Sequence, residues 1–193
     1  MKHHIVLLAG GMGSRLNNTE KRPKPLVDIN GFSLISRIIF SLNKTNLFKQ
    51  FHILTCMNSK IFEKILNKEI NNINYKIYNE SKRTGRIGAL KFFLKSQDKI
   101  EKFFVCNADT IIFNLVPSEI IEPVNKFKYK PIVFLANADS SREDYKKIII
   151  KINNDLINFQ NSGLVYISRE WFNQSVKENE KFNDIDDHLF SKT

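Results

Sequence analysis

Apolar positions along the 193-residue chain fall into short continuous runs that alternate with sets spaced three and four apart. Ile5 to Ala9 is an apolar run closed by glycines, too short for three helical turns, and reads as a buried strand of a parallel sheet. Ser33 to Lys44 carries Leu34, Ile35, Ile38, Ile39 and Leu42 at helical spacing and predicts an amphipathic helix. The alternation continues with a strand at Phe51 to Met57, a helix at Ile61 to Leu66, a strand at Tyr75 to Tyr78 and a helix at Gly88 to Leu94. A strand at Lys102 to Ala108, a helix at Ser118 to Val124 and a strand at Ile132 to Ala136 complete this part. Repeated strand-helix units imply parallel strands with helices on both faces, an α/β fold.

Beyond Lys146 the pattern changes. Lys147 to Ile152, Leu156 to Phe159 and Leu164 to Ser168 read as strands with short turns between them, which makes the sheet mixed. Trp171 begins a further helix, and Phe182 to Phe190 reads as a last one, with Asp184, Asp186 and Asp187 on its solvated face. No internal repeat or low-complexity linker divides the chain, and 193 residues suit one domain spanning 1–193.

The first strand leads into the most informative segment, LLAGGMGSRLNNTEKRPKPLVDING. Gly10, Gly11 and Gly13 are expected to allow positive φ and a close main-chain approach, so that successive N–H groups point at anionic oxygens. Arg15 adds a forked guanidinium, and Lys24, between Pro23 and Pro25, a point charge on a stiffened stretch. The spacing is not that of a dinucleotide fingerprint, because Leu16 stands where the third glycine belongs. Nor is it a P-loop, because Ser14-Arg15 does not supply Lys followed by Ser or Thr. Taken alone, the glycines also fit an ordinary strand-to-helix turn.

With its Pro-Lys-Pro-Leu continuation the segment resembles the signature of the nucleotidyltransferases that make nucleotide sugars, L-A-G-G-x-G-x-R-L followed by P-K-P-L-V. ESKRTGRIGAL, from Glu80 to Leu90, is similar to that family's E-x-x-P-L-G-T-A-G-A-L, and FVCNADT, from Phe104, to its strand ending in N-G-D-T. The likeness covers residues 4 to about 175. It implies a Rossmann-like, mostly parallel mixed sheet in a three-layer sandwich, of the GT-A-like kind. It also implies transfer of a nucleoside monophosphate from a nucleoside triphosphate to a sugar 1-phosphate, with Mg²⁺ as cofactor. Heptose 1-phosphate guanylyltransferases and N-acetylmuramate 1-phosphate uridylyltransferases are the relatives it most resembles. Phosphocholine cytidylyltransferases, molybdenum-cofactor guanylyltransferases and a noncatalytic nucleotide-binding domain are the alternatives.

Carried onto this sequence, the resemblance makes Arg15, Lys24 and Asp109 the catalytic residues, with Asp109 also holding the metal. Leu8, Ala9, Gly10, Gly11 and Gly13 would meet the nucleotide. Glu80, Gly85 and Gly88 would line the base and sugar side, and Asn161 and Gly163, in NSGLVYIS, the sugar. Ligands of open α/β sheets bind at the carboxyl ends of the strands, where the glycine loop, the 78–88 loop and Asp109 are expected to converge. Asp109-Thr110 and Asn161 also fit plain turn positions. The chain departs from the family pattern at Arg86, Ile87 and Ala108. Relatives usually continue further, to a second metal-binding aspartate.

Composition narrows the partners. A hydrophobic fraction of 42% with mean hydropathy −0.30 describes a soluble chain, and no apolar run approaches the ~20 residues of a membrane span. The amino end enters strand one without room for a secretory signal, so a cytoplasmic location is expected. Cys56 and Cys106 lie in apolar runs and are expected to be buried free thiols. A net charge of +10 draws polyanions of many kinds, but the lysines are scattered over helical faces, so nucleic acid is not expected as a partner. Association into a homo-oligomer is left open.

Overall fold

The structure, a computed structural model, describes residues 2–11, 22–56, 59–112, 115–127, 130–137, 148–152 and 155–178, together with Asp184 and Leu189. Gly13, Arg15 and the 182–190 helix as a whole lie outside the described residues.

Strand β1 (His3–Leu8) is followed, after a 3₁₀ turn at Lys24–Leu26, by a short hairpin of β2 (Asp28–Ile29) and β3 (Phe32–Ser33). Asn30 and Gly31, at φ 50° and 84°, form its two-residue turn, the conformation that an Asn-Gly pair favours in hairpins. Helix α1 (Leu34–Asn43) starts where the Ser33 side chain accepts the N–H of Ser36. Ser33 is fixed in turn, because its own N–H and hydroxyl both donate to Glu69 Oε2, at 3.0 and 2.7 Å. Then come β4 (Phe48–Cys56), α2 (Ser59–Glu69), β5 (Tyr75–Glu80), α3 (Gly85–Ser96), β6 (Lys102–Asn107) and α4 (Pro117–Lys126). The last of these elements are β7 (Ile132–Asn137), β8 (Ile148–Ile152), β9 (Asp155–Ser168) and α5 (Arg169–Glu178).

Apart from the β2-β3 hairpin, the strands form one sheet in the order β5-β4-β1-β6-β9-β7, with β8 paired to the start of β9. β5, β4, β1 and β6 run parallel, and β9 is antiparallel to each of its neighbours. The alternating faces of the central strands build two cores. Ile5, Leu7, Ile53, Phe104 and Cys106 pack beneath α1, α2 and α4. Val6, Leu54, Phe103 and Val105 pack beneath α3 and α5. A mixed, mostly parallel sheet in a three-layer sandwich therefore stands, with each face closed by apolar burial.

Three expectations are corrected. The two strands expected at Leu156 to Phe159 and Leu164 to Ser168 are one 14-residue strand, β9. Its turn-like Asn-Ser-Gly forms an irregularity instead: between the pairs Leu135–Asn161 and Val133–Val165, three residues of β9 face the single Phe134 of β7. There the Ser162 hydroxyl donates to Phe134 O at 2.6 Å, and Gly163 takes φ 79°. Gly10 and Gly11 do not adopt the positive φ expected of them; among the described residues the glycines that do are Gly31, Gly85 and Gly163. Cys106 is buried, but Cys56 is half-exposed at the end of β4.

A buried polar chain crosses the α3 side of the sheet. His4 Nδ1 lies 2.9 Å from His52 Nε2, and His52 Nδ1 lies 3.0 Å from the Tyr78 hydroxyl. Burial, and then the charges of His4, Lys76 and Lys49, push the fully buried His52 down to about 3, so it is neutral in the folded chain.

Candidate functional site

The parallel register brings polar and small residues to one end of the sheet. Leu8 pairs with Leu54 on one side and Asn107 on the other, and Cys56 pairs with Glu80. All five line a crevice of about 270 Å³ on the α3 side. Gly10 and Gly11 continue past the end of β1 along its floor, and Asp109 stands two residues beyond β6. Arg83, Thr84, Gly85, Arg86 and Ala89, from the amino end of α3 and the loop before it, close the remaining wall.

The residues singled out in the sequence fall into three groups. Leu8, Gly10, Gly11, Glu80, Gly85 and Asp109 line the crevice. Ala9, Gly88, Asn161 and Gly163 stand behind it. Arg15 and Gly13 are outside the described residues. Lys24 joins the first group through Asp109: its Nζ lies 2.8 Å from Asp109 Oδ2, across 85 residues of sequence. Pro25 and Leu26 are buried beside Lys24, so the 3₁₀ turn is anchored to the core and the lysine projects from a fixed base. Asp109 Oδ1 also accepts the Thr110 hydroxyl at 3.3 Å.

The residues behind the crevice have identifiable tasks. Ala9 is buried in the α1-side core and gives its N–H to Leu54 O at 2.8 Å, while Leu8 O accepts Ala108 N–H at 3.2 Å. The sheet thus engages those two main-chain groups. A Cβ on Gly10 would make an ordinary 3.6 Å contact with Cys56, and one on Gly11 would meet no atom of the described residues within 4 Å. The described residues do not themselves demand glycine at either position. A Cβ on Gly88 would lie 2.1 Å from Thr84 Oγ1, so Gly88 makes room for the side chain of Thr84. Thr84 donates in turn to Glu80 Oε1 at 2.5 Å, orienting a carboxylate that is only 7% exposed. Gly163 leaves space for Asn107, whose Nδ2 would be 3.2 Å from an added Cβ, and Asn161 Oδ1 accepts the Gly163 N–H at 2.9 Å.

Sequence reasoning did not single out Asn107, Cys56, Arg83 or Thr84. Asn107 had a visible signal, a polar residue ending an otherwise apolar strand in FVCNADT. Cys106 is no nucleophile: burial, with a smaller contribution from Asp109, pushes its thiol up to about 12. Among the described residues no group of three or more His, Cys, Asp or Glu side chains could hold a metal by itself, and no helix is long and apolar enough to cross a membrane.

Sheet order, crevice position and the cationic and acidic groups at its mouth define an α/β protein of the kind that takes a ligand at the carboxyl ends of its strands. The chain belongs to the nucleotidyl transferase family, whose model matches residues 4–161. No curated protein matches the chain as a whole-sequence relative. Among solved structures, it is similar to the inositol-1-phosphate CTP transferase from T. maritima, with 20% identity and TM-score 0.75 over 99% of this chain and 80% of that one. HddC from Yersinia pseudotuberculosis, complexed with GMP-PN, gives 20% identity and TM-score 0.69 over 88% and 78%. A UDP-glucose pyrophosphorylase complexed with UDP-glucose gives 17% and 0.75 over 100% and 87%. At these identities the likeness establishes the shared fold.

Proposed function

We propose that the chain transfers a nucleoside monophosphate from a nucleoside triphosphate to a sugar 1-phosphate, releasing pyrophosphate. The observation that carries this reading is the Lys24–Asp109 contact at the mouth of the crevice, which sets a cation and a carboxylate side by side where the glycine backbone ends. Bare backbone at Gly11 supports it, since among the described residues no atom fills the space a Cβ would take there.

The attacking phosphate of a sugar 1-phosphate loses its second proton near pH ~6, so it is already anionic at neutral pH and needs no general base. The difficulty lies in bringing two anions together and in charge growing on the leaving pyrophosphate. Lys24 neutralises phosphate charge, and Arg15 is assigned the same task. Glu80, oriented by Thr84, offers an acceptor to the base, and Asn107 stands between the crevice and Gly163 on the sugar side.

The donors fit a hard divalent cation. Asp109 is an oxygen ligand, its side chain is 43% exposed, and it already takes a positive group on Oδ2. Mg²⁺ commonly binds through one or two carboxylates together with substrate phosphates. Asp109 would hold it, and the ion would supply charge neutralisation of the phosphate oxygens.

Pyrophosphate release, measured with ATP, GTP, CTP, UTP and dTTP against a set of sugar 1-phosphates, tests the proposal. Turnover with one pair is expected. A folded chain that binds a triphosphate yet releases no pyrophosphate with any acceptor would instead be a noncatalytic nucleotide-binding domain.

A further inference from the structure

One wall of the crevice is held from behind by a residue far along the chain. Arg86 lines the crevice from the first turn of α3, and its Nη1 donates to Asp184 Oδ1 at 3.1 Å, across 98 residues of sequence. Five residues after Asp184, Leu189 packs on the apolar cluster beneath α3, beside Trp171 and Val176 of α5. The carboxyl-terminal segment therefore touches the α3 side of the molecule at two described points, one polar and one apolar. Asp184, expected to lie on a solvated helical face, is instead paired with a crevice residue.

We propose that Asp184 is a positioning residue for the nucleotide site, holding the Arg86 guanidinium in the crevice wall so that it meets the triphosphate already ordered. This rests on the nucleotidyl transfer reading and deepens it. An arginine side chain has several free torsions, and a guanidinium fixed by a carboxylate on one nitrogen keeps further N–H donors in a planar fork. Ordering it before the ligand arrives lowers the entropy lost on binding. Arg83 and the amino end of α3 line the same wall, so the anchored charge adds to a positive region. A surface ion pair contributes little to folding, so its removal should show in ligand affinity more than in stability.

The test measures dissociation constants of the full chain for ATP, GTP, CTP and UTP, by calorimetry, with thermal melting in parallel. For the triphosphate that binds best, Arg86→Ala should weaken binding about tenfold, the scale of one hydrogen bond to a charged group. Asp184→Ala should weaken it about two- to fivefold, the scale of one exposed ion pair. Asp184→Glu should restore affinity to within about twofold, and the double variant should bind like Arg86→Ala alone, because Asp184 acts on the triphosphate through Arg86. Where turnover is measurable, Asp184→Ala should raise the KM for the triphosphate and leave kcat in place. Unaltered affinity in Asp184→Ala, or effects of the two variants that simply add, overturns the inference while the functional reading stands. A wild-type chain that binds neither these four triphosphates nor dTTP overturns the functional reading, and this inference with it.

Discussion

Replacing Gly88 by alanine should destabilise the chain, against the usual expectation for a helix. Gly88 lies inside α3, where alanine is favoured over glycine by about 1 kcal/mol. The added Cβ would stand 2.1 Å from Thr84 Oγ1 and 2.2 Å from Thr84 Cβ, closer than non-bonded atoms approach. Thr84 must then move, giving up its hydroxyl bond to Glu80, and a hydrogen bond to a carboxylate contributes about 1.5–3 kcal/mol. Because the clash includes Cβ, rotation about χ1 does not relieve it, and an overpacking penalty of about 1–3 kcal/mol is added. After the helix-propensity gain, a net loss of about 1.5–5 kcal/mol remains, or ~3–20 °C in Tm for a chain of this length. The background decides the sign: with Thr84→Gly already present the obstructing atoms are gone, and Gly88→Ala should then stabilise by about 1 kcal/mol. Urea unfolding of the four chains in this cycle measures both effects. Gly88→Ala stabilising to the same extent in both backgrounds would refute the claim that this glycine exists to seat Thr84.

Gly11→Val should leave urea stability within about 0.5 kcal/mol, since no atom of the described residues lies near its Cβ, yet weaken triphosphate binding at least ~10-fold; a full-affinity variant would show the open space to be unused. Asp109→Asn should lower turnover by ~10²-fold or more with the melting temperature little changed, and an unaltered rate would remove this carboxylate from the chemistry. Acid should destabilise the fold through His52. Its folded value of about 3 lies below the ordinary 6.5, so the unfolded chain gains a proton first, and stability falls as pH drops from 6.5 toward 3, by up to ~1.4 kcal/mol per pH unit from this residue alone. His52→Gln should flatten that slope, and a wild-type stability constant between pH 6.5 and 4 would contradict the neutral buried imidazole.

Much of the fold could be read from the sequence because each element obeys a single period. Ser33 followed by apolar positions at three-four spacing marked α1 to within a residue at each end, and the apolar runs of β1 and β6 could hardly be anything but buried strands. Lys24 and Asp109, which only the resemblance assigned to one site, lie in contact in the fold. What failed did so where a local signal had two uses. Asn161-Ser162-Gly163 carries turn chemistry, but cross-strand bonding with β7 spends it on an irregularity within a continuous strand. Asn30-Gly31 is a strong hairpin signal that went unread inside a longer motif. The pairing of Asp184 with Arg86 lies beyond any local pattern, because only the closed tertiary structure brings residues so distant in sequence together.

The antiparallel placement of β9 has a consequence for how the molecule is assembled during synthesis. Every described residue that lines the crevice lies between positions 8 and 109, on a parallel array that grows outward one strand-helix unit at a time as the ribosome delivers it. β7 emerges next and finds no partner there, because its neighbour in the sheet arrives only with residues 155–168. For that interval β6 keeps a bare edge, the kind of surface on which nascent chains stick to one another. The pocket is thus framed early, while the protection of the sheet beside it waits for one long, late strand.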